Sequence, residues 1–431
     1  MKILIKGARI VDPASGRDGS KTGRIFIEGG VISKPPPHAE KLPGIKVIDA
    51  RGMVAAPGLV DMHVHLREPG FEHKETIKTG TLSAVAGGFT AVACMPNTRP
   101  VNDNAAVTQY ILMKARTEGS ARVFPIGAIT KNEEGKSMAD IGEMCEAGCV
   151  AISDDGFPVV DSAILRRAME YAKPFGVPVI SHCEDMSLSA DGVMNEGYVS
   201  NLMGLRGIPA ESEEICVSRD ITLSRLTGAP LHIAHVSAAG SVAAVRRAKK
   251  EGVRVTAEAT PHHFTLSDEA VRGYKTNAKM NPPLRTQKDI NAIWKGLADG
   301  TIDAIATDHA PHSHDEKNVE FDKAPFGIVG LETALSLSLR LVDEGVLSLS
   351  GMVEKMSTVP ALILGTGGGT LKEGAPADVV VFDPEEERVI NAEGFYSKGR
   401  STPFDGETLK GVVKWTIVGG VVKFSQASAR P

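Results

Sequence analysis

Between residues 58 and 310 the chain alternates short apolar runs with longer amphipathic stretches. The apolar runs have strand length and read LVDMHVHL, FTAVACM, ARVFPIGAI, CVAISDD, VPVISHCE, PLHIAHVS, RVTAEATP and DAIATDHA. Amphipathic stretches such as HKETIKTGTLSAVAGG, DSAILRRAMEYAKPFG and SVAAVRRAKKEG have the length of helices. Strands that alternate with helices indicate a parallel sheet with crossover helices. Eight of them over residues 58–365 predict an α/β fold, a closed (β/α)8 or TIM barrel. A doubly wound sheet is the alternative, but no GxGxxG turn follows the first strand.

The two ends of the chain have a different pattern, in which short strand-like runs are joined by turns. ILIKGARIV, GRIFIEGGVI and KVIDARGMVAAPG precede residue 58, and ADVVVFDP, ERVI and VKWTIVGGVVKF follow residue 365. The proline-rich stretch SKPPPHAEKLPG cannot be a central strand, because proline lacks the N–H group that the ladder needs. We expect residues 1–57 and 366–431 to form one small β-sandwich domain built from both termini.

Composition narrows the class of protein. The 431 residues are 42% hydrophobic with a net charge of −5, which suits a globular chain. This charge argues against nucleic acid or an anionic membrane as a partner, since both bind basic surfaces. We expect no signal peptide and no membrane span, because no apolar run is long enough. Five scattered cysteines without a CxxC pair predict reduced thiols in a cytoplasmic enzyme.

Histidine and aspartate collect at the ends of the predicted strands. In GLVDMHVHLREPG, His63 and His65 point to one face because side chains alternate, and Arg67 joins them if the strand runs that far. The C-terminal ends of barrel strands form the active-site mouth. Later strands add further donors there: Asp154, Asp155, His182, His235 and Asp308. So many polar groups are costly to bury without a partner, and their chemistry predicts a site for zinc or another first-row divalent ion.

Eight motifs together resemble those of the class I dihydroorotases in the amidohydrolase superfamily. In chain order they are DMHVHLREPG, ACMPNTRPV, SDDG, SHCED, HIAHVS, KMNPPLR, ATDHAPH and APFG. The resemblance extends from about residue 58 to residue 364 and continues into the flanking segments LKEGAPADVVVFD and TIVGG. It implies a zinc-dependent cytoplasmic hydrolase of de novo pyrimidine biosynthesis, which interconverts N-carbamoyl-L-aspartate and L-dihydroorotate.

The resemblance also implies the metal ligands. They are His63, His65, Asp155 and Asp308 for a first Zn²⁺, and His182 and His235, sharing Asp155, for a second. Many members of the superfamily bridge two metals with a carboxylated lysine at the fourth strand, where CVAISDDG has none. The class I pattern has an aspartate there. We assign Asp155 over Asp154, because neighbouring strand residues point opposite ways. Lys131 is the remote alternative, and one bound metal or two are both open.

In the reaction that this resemblance implies, a metal-bound hydroxide attacks the ring amide carbonyl, because coordination lowers the pKa of water to roughly 7. Asp308 would be the general base and acid, which passes the proton to the leaving ring nitrogen. The implied substrate-binding residues are His65, Arg67, Asn97, Asn281, His312, Phe326 and Gly327. Of these, Arg67, Asn97 and His312 would hold the carboxylate, and the guanidinium fork suits that group.

Two other functions compete with this one. A hydantoinase- or allantoinase-like amidohydrolase would be expected to have the bridging lysine and no carboxylate clamp. A non-catalytic, dihydroorotase-like scaffold for aspartate carbamoyltransferase would be expected to lose metal ligands, whereas this chain keeps them all. An active enzyme could still form a complex with that transferase, and a homodimer is the default expectation. The charged segment HSHDEKNVEFDKAPFG is either a lid or a solvated loop.

Overall fold

The structure, a computed structural model, describes residues 2–426. Its first part consists of five strands: β1 Lys2–Asp12, β2 Arg17–Glu28, β3 Val31–Ser33, β4 Ile45–Asp49 and β5 Val54–Pro57. The long strand β1 pairs with β2 in antiparallel fashion. Its first half pairs in parallel with β4 and its second half with β5, so the sheet branches at β1.

The middle of the chain forms the barrel. This part of the chain contains the strands β6 Leu59–Val64, β7 Phe89–Cys94, β8 Arg122–Gly127, β9 Ala151–Ile152, β10 Val179–Ser181, β11 Met194–Asn195, β12 Gly207–Ile208, β13 Leu231–Ile233, β14 Val255–Ala259 and β15 Ala304–Ile305. Strands β11 and β12 form a separate pair, and the other eight lie side by side in chain order from β6 to β15. Their ladders are all parallel, which confirms the predicted (β/α)8 barrel.

The barrel is closed between β15 and β6 by single bridges. His309 forms a parallel bridge with Val64, and its carbonyl accepts the N–H of His65 at 2.8 Å. The buried carboxylate of Asp61 on β6 accepts the N–H of Thr307 at 3.1 Å. These contacts hold the first and eighth barrel strands together at the end where the predicted ligands lie.

Helices surround the barrel. They are α1 Ile77–Ala86, α2 Ala105–Glu118, α3 Ile141–Ala147, α4 Ser162–Ala172, α5 Met186–Ser189, α6 Tyr198–Met203, α7 Ala210–Thr227, α8 Ala239–Lys250, α9 Pro261–Thr265, α10 Gln287–Ala298, α11 His314–Lys317, α12 Ala334–Asp343, α13 Leu349–Val353 and α14 Val359–Ile363. Helix α4 buries Leu165, Ala168, Met169 and Ala172, the spacing of one apolar stripe. The Asp161 side chain caps this helix by accepting N–H groups of its first turn. Within residues 2–426, no helix has both the length and the apolar character needed to cross a membrane.

The last strands, β16 Val379–Val389, β17 Thr408–Val418 and β18 Val421–Ser425, return to the N-terminal sheet. Strand β16 pairs with β5, so both termini share one mixed sheet in the order β18-β17-β16-β5-β1-β2-β3, with β4 on β1. On β16, Val379 and Val381 face the core of this sheet, while Val380 and Phe382 belong to the core shared with the barrel. Burial on both faces explains why this strand is a continuous apolar run.

Candidate active site

The strand ends place the predicted ligands on one rim. His63 lies within β6, and His182 directly follows β10. His235 stands two residues beyond β13, and Asp155 and Asp308 stand three residues beyond β9 and β15. Because the carboxyl ends of all eight strands meet at the same end of the barrel, residues distant in sequence converge there.

An open cavity of about 220 Å³ lies at this rim. Its lining includes the following predicted residues: His65, Arg67, Asn97, Asp155, His182, His235, Asn281, Asp308, His312, Phe326 and Gly327. His63 is completely buried and lies behind two of them, with its Nε2 3.4 Å from Asp155 Oδ1 and 3.6 Å from Asp308 Oδ1. The structure thus brings His63 and these eleven lining residues to one place.

At this rim, two sets of donor atoms lie close enough together to hold metal ions. One set contains His63, His65 and Asp308, and the other contains His63, Asp155 and His235. His65 Nε2 lies 3.1 Å from Asp308 Oδ1. His63 Nε2 and Asp155 Oδ1 are buried and have no hydrogen-bond partner within residues 2–426. Buried polar atoms normally have partners, so this pair fits a bound cation.

A further pair of imidazoles lies beside Asp155. His182 Nδ1 and His235 Nε2 are 2.9 Å apart, and Asp155 Oδ1 lies 3.7 Å from each of these nitrogens. The Asp155 carboxylate therefore stands between this pair and His63. Nitrogen and oxygen donors without a thiol suit zinc or another borderline divalent ion.

Two buried glutamates, which the sequence reasoning missed, orient the histidines. Glu258 Oε1 accepts a hydrogen bond from His63 Nδ1 at 2.7 Å. Glu184 Oε2 accepts one from His182 Nε2 at 3.0 Å. In the neutral imidazole, each bond keeps the proton on the nitrogen that faces the glutamate, so the other ring nitrogen presents its lone pair to the donor cluster. The sequence contains two indications of these glutamates. One is Glu258 inside the apolar run RVTAEATP, and the other is Glu184 two residues after His182 in SHCED.

Burial and neighbouring charge set the protonation of the cluster. Burial lowers the pKa of His63, but the charges of Asp155 and Glu258 outweigh this and hold that pKa well above its ordinary value. Burial raises the pKa of Asp155, yet the charge of His63 keeps it well below its usual range. Burial raises the pKa of Asp308 too, but the hydrogen bond from His65 and the charges of His63, His65 and His235 together keep this pKa low. This buried negative charge attracts a divalent cation as it attracts a proton.

The two alternatives to Asp155 lie elsewhere. Asp154 Oδ1 accepts the N–H of Thr130 at 3.0 Å, so this carboxylate is turned away from the cluster. Lys131 is about half exposed and lies 3.6 Å from Asp140 at the surface. Neither belongs to a donor set formed by the described residues.

Arg67 reaches the cavity through a turn and not through strand alternation. Strand β6 ends at Val64, three residues earlier, and Arg67 has a φ of 59°. His235 and Asp308 also have positive φ values, 32° and 47°. Such backbone is strained for residues other than glycine and gathers at functional sites. Strain at three residues of one cavity supports a functional role for this rim.

The lining of the cavity also carries polar groups that are suited to a small anion. Arg67 donates from Nε to the Pro311 carbonyl at 3.3 Å, and its outer N–H groups have no acceptor within residues 2–426. Asn97 Oδ1 lies 2.9 Å from His65 Nδ1. Burial, with the charge of Arg67, lowers the pKa of His312 to about 3, so this imidazole is neutral.

Comparison with known proteins agrees with this geometry. Residues 52–241 match the dihydro-orotase-like family model. The dihydroorotase of Geobacter metallireducens is 54% identical over 426 residues, which cover 99% of this chain and 100% of the relative. That of Pelotomaculum thermopropionicum is 56% identical over 423 residues, 98% of each chain.

Solved structures show the same fold. An L-hydantoinase (dihydropyrimidinase) from Arthrobacter aurescens has a TM-score of 0.85 and 24% identity, and the match covers 97% of this chain and 95% of that one. A D-hydantoinase (dihydropyrimidinase) from Thermus sp. has a TM-score of 0.83 and 26% identity, over 99% and 96%. Because the whole-length identity is far higher with the dihydroorotases, the chain belongs to the dihydroorotase family of cyclic-amide hydrolases.

Proposed function

We propose that this chain is a zinc-dependent dihydroorotase, which closes N-carbamoyl-L-aspartate to L-dihydroorotate and reopens the ring in de novo pyrimidine biosynthesis. One observation carries the proposal above all others. A buried cluster of imidazoles and carboxylates lies against a cavity whose wall carries Arg67 without a carboxylate partner. The full-length identity of 54% with a dihydroorotase supports the same substrate.

The proposed zinc ligands fall into two groups that share Asp155. They are His63, His65, Asp155 and Asp308 on one side, and His182 and His235 with Asp155 on the other. A bound divalent ion would supply a water of near-neutral pKa and polarise the amide carbonyl. The protein's part is to keep the imidazoles in the metal-binding tautomer, through Glu258 and Glu184.

Asp308 is the proposed general base and acid. Its carboxylate lines the cavity and its low pKa keeps it ionised at neutral pH. In ring opening, water oxygen bonds to the carbonyl carbon while Asp308 accepts the water proton. The same proton then goes to the ring nitrogen as the C–N bond breaks. Ring closure is the reverse, and Asp308 then accepts the proton of the attacking nitrogen.

The polar residues that line the cavity would hold the substrate. Arg67 would bind its carboxylate through the guanidinium fork, assisted by Asn97 and His312. Asn281 and the backbone of Phe326–Gly327 would hydrogen-bond the ring amides. A hydantoin lacks this carboxylate, so the Arg67 contact is what would select dihydroorotate among cyclic amides.

A substrate panel tests the proposal. The zinc-loaded protein should open L-dihydroorotate and should open hydantoin and dihydrouracil far more slowly, because neither carries the carboxylate. Rapid turnover of the two uncharged rings with none of dihydroorotate would favour the hydantoinase-like alternative. A protein that binds no zinc and opens none of these rings would favour the scaffold alternative.

Location and assembly complete the proposal. We propose a cytoplasmic enzyme, because the five cysteines are all free thiols, as in a reducing compartment. We also propose a homodimer that can form a complex with aspartate carbamoyltransferase. Light scattering of the chain alone and mixed with a purified transferase would measure both masses.

A further inference from the structure

Two lysines are buried next to the proposed substrate cavity. Lys279 precedes the NPP segment of KMNPPLR, and Lys317 ends helix α11 in the loop after the eighth barrel strand. Their residues are 2% and 3% exposed. A buried ammonium is costly unless its N–H groups find acceptors. Here the hydrogen-bond acceptors of both are backbone carbonyls.

Lys317 Nζ uses all three of its donors. It donates to the carbonyls of Pro325 and Gly327, each at 2.9 Å, and to the carbonyl of Lys279 at 3.3 Å. An ammonium has three N–H groups, so donors and acceptors are matched. Pro325 and Gly327 stand on either side of Phe326. Lys317 therefore grips the backbone that is proposed to meet the substrate ring.

Lys279 holds the same loop from the other side. Its Nζ donates to the carbonyls of Phe321 at 2.7 Å and Asp322 at 3.1 Å. It also lies 5.3 Å and 4.8 Å from the ring centroids of Phe321 and Phe326, within the range of cation–π attraction. The carbonyl of Lys279 accepts the N–H of Gly327 at 3.0 Å. The Lys279 carbonyl therefore links the N–H of Gly327 to the ammonium of Lys317.

Gly327 packs tightly against Ala310, which follows the eighth barrel strand. Its φ is 128°, and a Cβ built there would lie 2.7 Å from the Ala310 carbonyl oxygen. The Phe326 carbonyl accepts the N–H of His312 Nε2 at 2.8 Å. The backbone at Gly327 therefore packs against residues that line the cavity. On its other side this backbone is held by Lys317 and Lys279.

We propose that Lys317 and Lys279 are positioning residues that clamp the backbone of Phe326–Gly327 at the substrate cavity. Residues 313–327 then form an anchored loop and not a freely moving lid. Burial lowers the pKa of Lys317 to about 7 and that of Lys279 to about 8, because it destabilises the charged form of both side chains. The clamp stands on the structure alone, whereas its effect on catalysis rests on the proposed function.

Amide hydrogen exchange of the full-length protein tests the clamp without any assay of activity. Lys317→Met removes the ammonium and keeps most of the stem. We expect the amides of residues 326–328 to exchange at least about ten times faster in this variant, since the lysine bonds that anchor the carbonyls of this backbone are lost. Lys323→Met is the matched control, because Lys323 lies in the same loop with a 67% exposed side chain. Unchanged exchange in Lys317→Met, or equal acceleration in Lys323→Met, would overturn the proposal.

Steady-state kinetics then separate positioning from a merely structural role. Lys317→Met should raise KM for dihydroorotate by about ten-fold or more with a smaller change in kcat, because substrate contacts are displaced and Asp308 is not. Lys317→Arg, which keeps the charge, should recover part of this loss. If Lys317→Met does not fold, Lys279→Met should show the same exchange and KM changes. A fall in kcat alone would overturn the positioning role. If the wild-type protein were inactive on dihydroorotate, the proposed function would be wrong. Hydrogen exchange would still test the clamp independently.

Discussion

His63 Nδ1 and Glu258 Oε1 are 2.7 Å apart. Their hydrogen bond joins the first strand of the barrel to the seventh, and both side chains are buried. This bond directs the other nitrogen of His63 toward Asp155. Glu258→Gln should weaken zinc affinity by about 10- to 100-fold, the usual effect of losing a carboxylate behind a ligating histidine. Zinc titration against a competing chelator measures this change. Glu344→Gln, at an exposed position, is the control. Equal affinities in both variants would contradict the role of Glu258.

Asp308→Asn tests the proposed base. Asparagine is suitable because it tolerates positive φ better than most residues, and Asp308 has a φ of 47°. We expect kcat to fall by about 10²- to 10⁴-fold, since an amide cannot accept the proton. The zinc content and the circular dichroism of the variant should be measured alongside, because Asp308 is also a proposed ligand. A variant that retains zinc and more than a tenth of the rate would remove Asp308 as the base.

Arg67→Met tests the carboxylate contact. The guanidinium is the group on the cavity wall that is suited to bind a carboxylate bidentately. We expect KM for dihydroorotate to rise by about 10- to 100-fold, and Arg67→Lys to restore only part, because a lysine lacks the planar fork. The slow turnover of uncharged dihydrouracil provides the internal control and should not change. A KM that stays the same for dihydroorotate would assign Arg67 to a structural role.

The eight strands and the ligand cluster could be predicted because both follow from local rules. A short apolar run ends in a polar residue, and parallel strands bring such ends together. Arg67 could not be derived this way. The alternation of side chains ends with β6 at Val64, and a backbone turn with positive φ carries Arg67 to the cavity. In the folded chain the Arg67 side chain also donates to the carbonyl of Pro311, which is 244 positions away.

The glutamates behind the histidines were harder to predict for a similar reason. Glu258 stands in an apolar run, and its pairing with His63 joins residues 195 positions apart. Nothing local specifies which distant histidine receives its hydrogen bond. The buried lysines of the last loop are a second case. In the sequence, Lys317 looks like one charge of a solvated segment, and only the folded carbonyls of Pro325 and Gly327 explain its burial.

Glu332, which does not line the cavity, makes stability depend on pH. Its carboxyl group is buried and accepts bonds from Ser83 Oγ and the Tyr396 N–H, each at 2.8 Å. Burial raises its pKa to about 7. The folded state therefore keeps a proton that the unfolded state releases above about pH 4.5. The stabilisation that this bound proton provides is fully present below about pH 4.5 and is lost as pH rises through 7. The free energy of unfolding falls by up to roughly 3 kcal/mol over this range.

Glu332→Gln should remove this dependence, because an amide does not titrate. Urea unfolding at pH 5 and pH 8 measures the free energy of unfolding of both proteins. We expect the difference between the two pH values to be smaller in the variant. The same difference in both proteins would show that Glu332 does not hold its proton in the folded state.

Zinc dependence of dihydroorotate turnover is the most direct measurement of the central claim. The protein is stripped with a chelator and titrated with Zn²⁺, while bound metal and the rate of ring opening are recorded together. The proposed site predicts no turnover without metal and a rate that rises with bound zinc until one or two ions per chain are held. Full turnover of dihydroorotate by the metal-free protein, or saturation with zinc and no turnover at all, would contradict it.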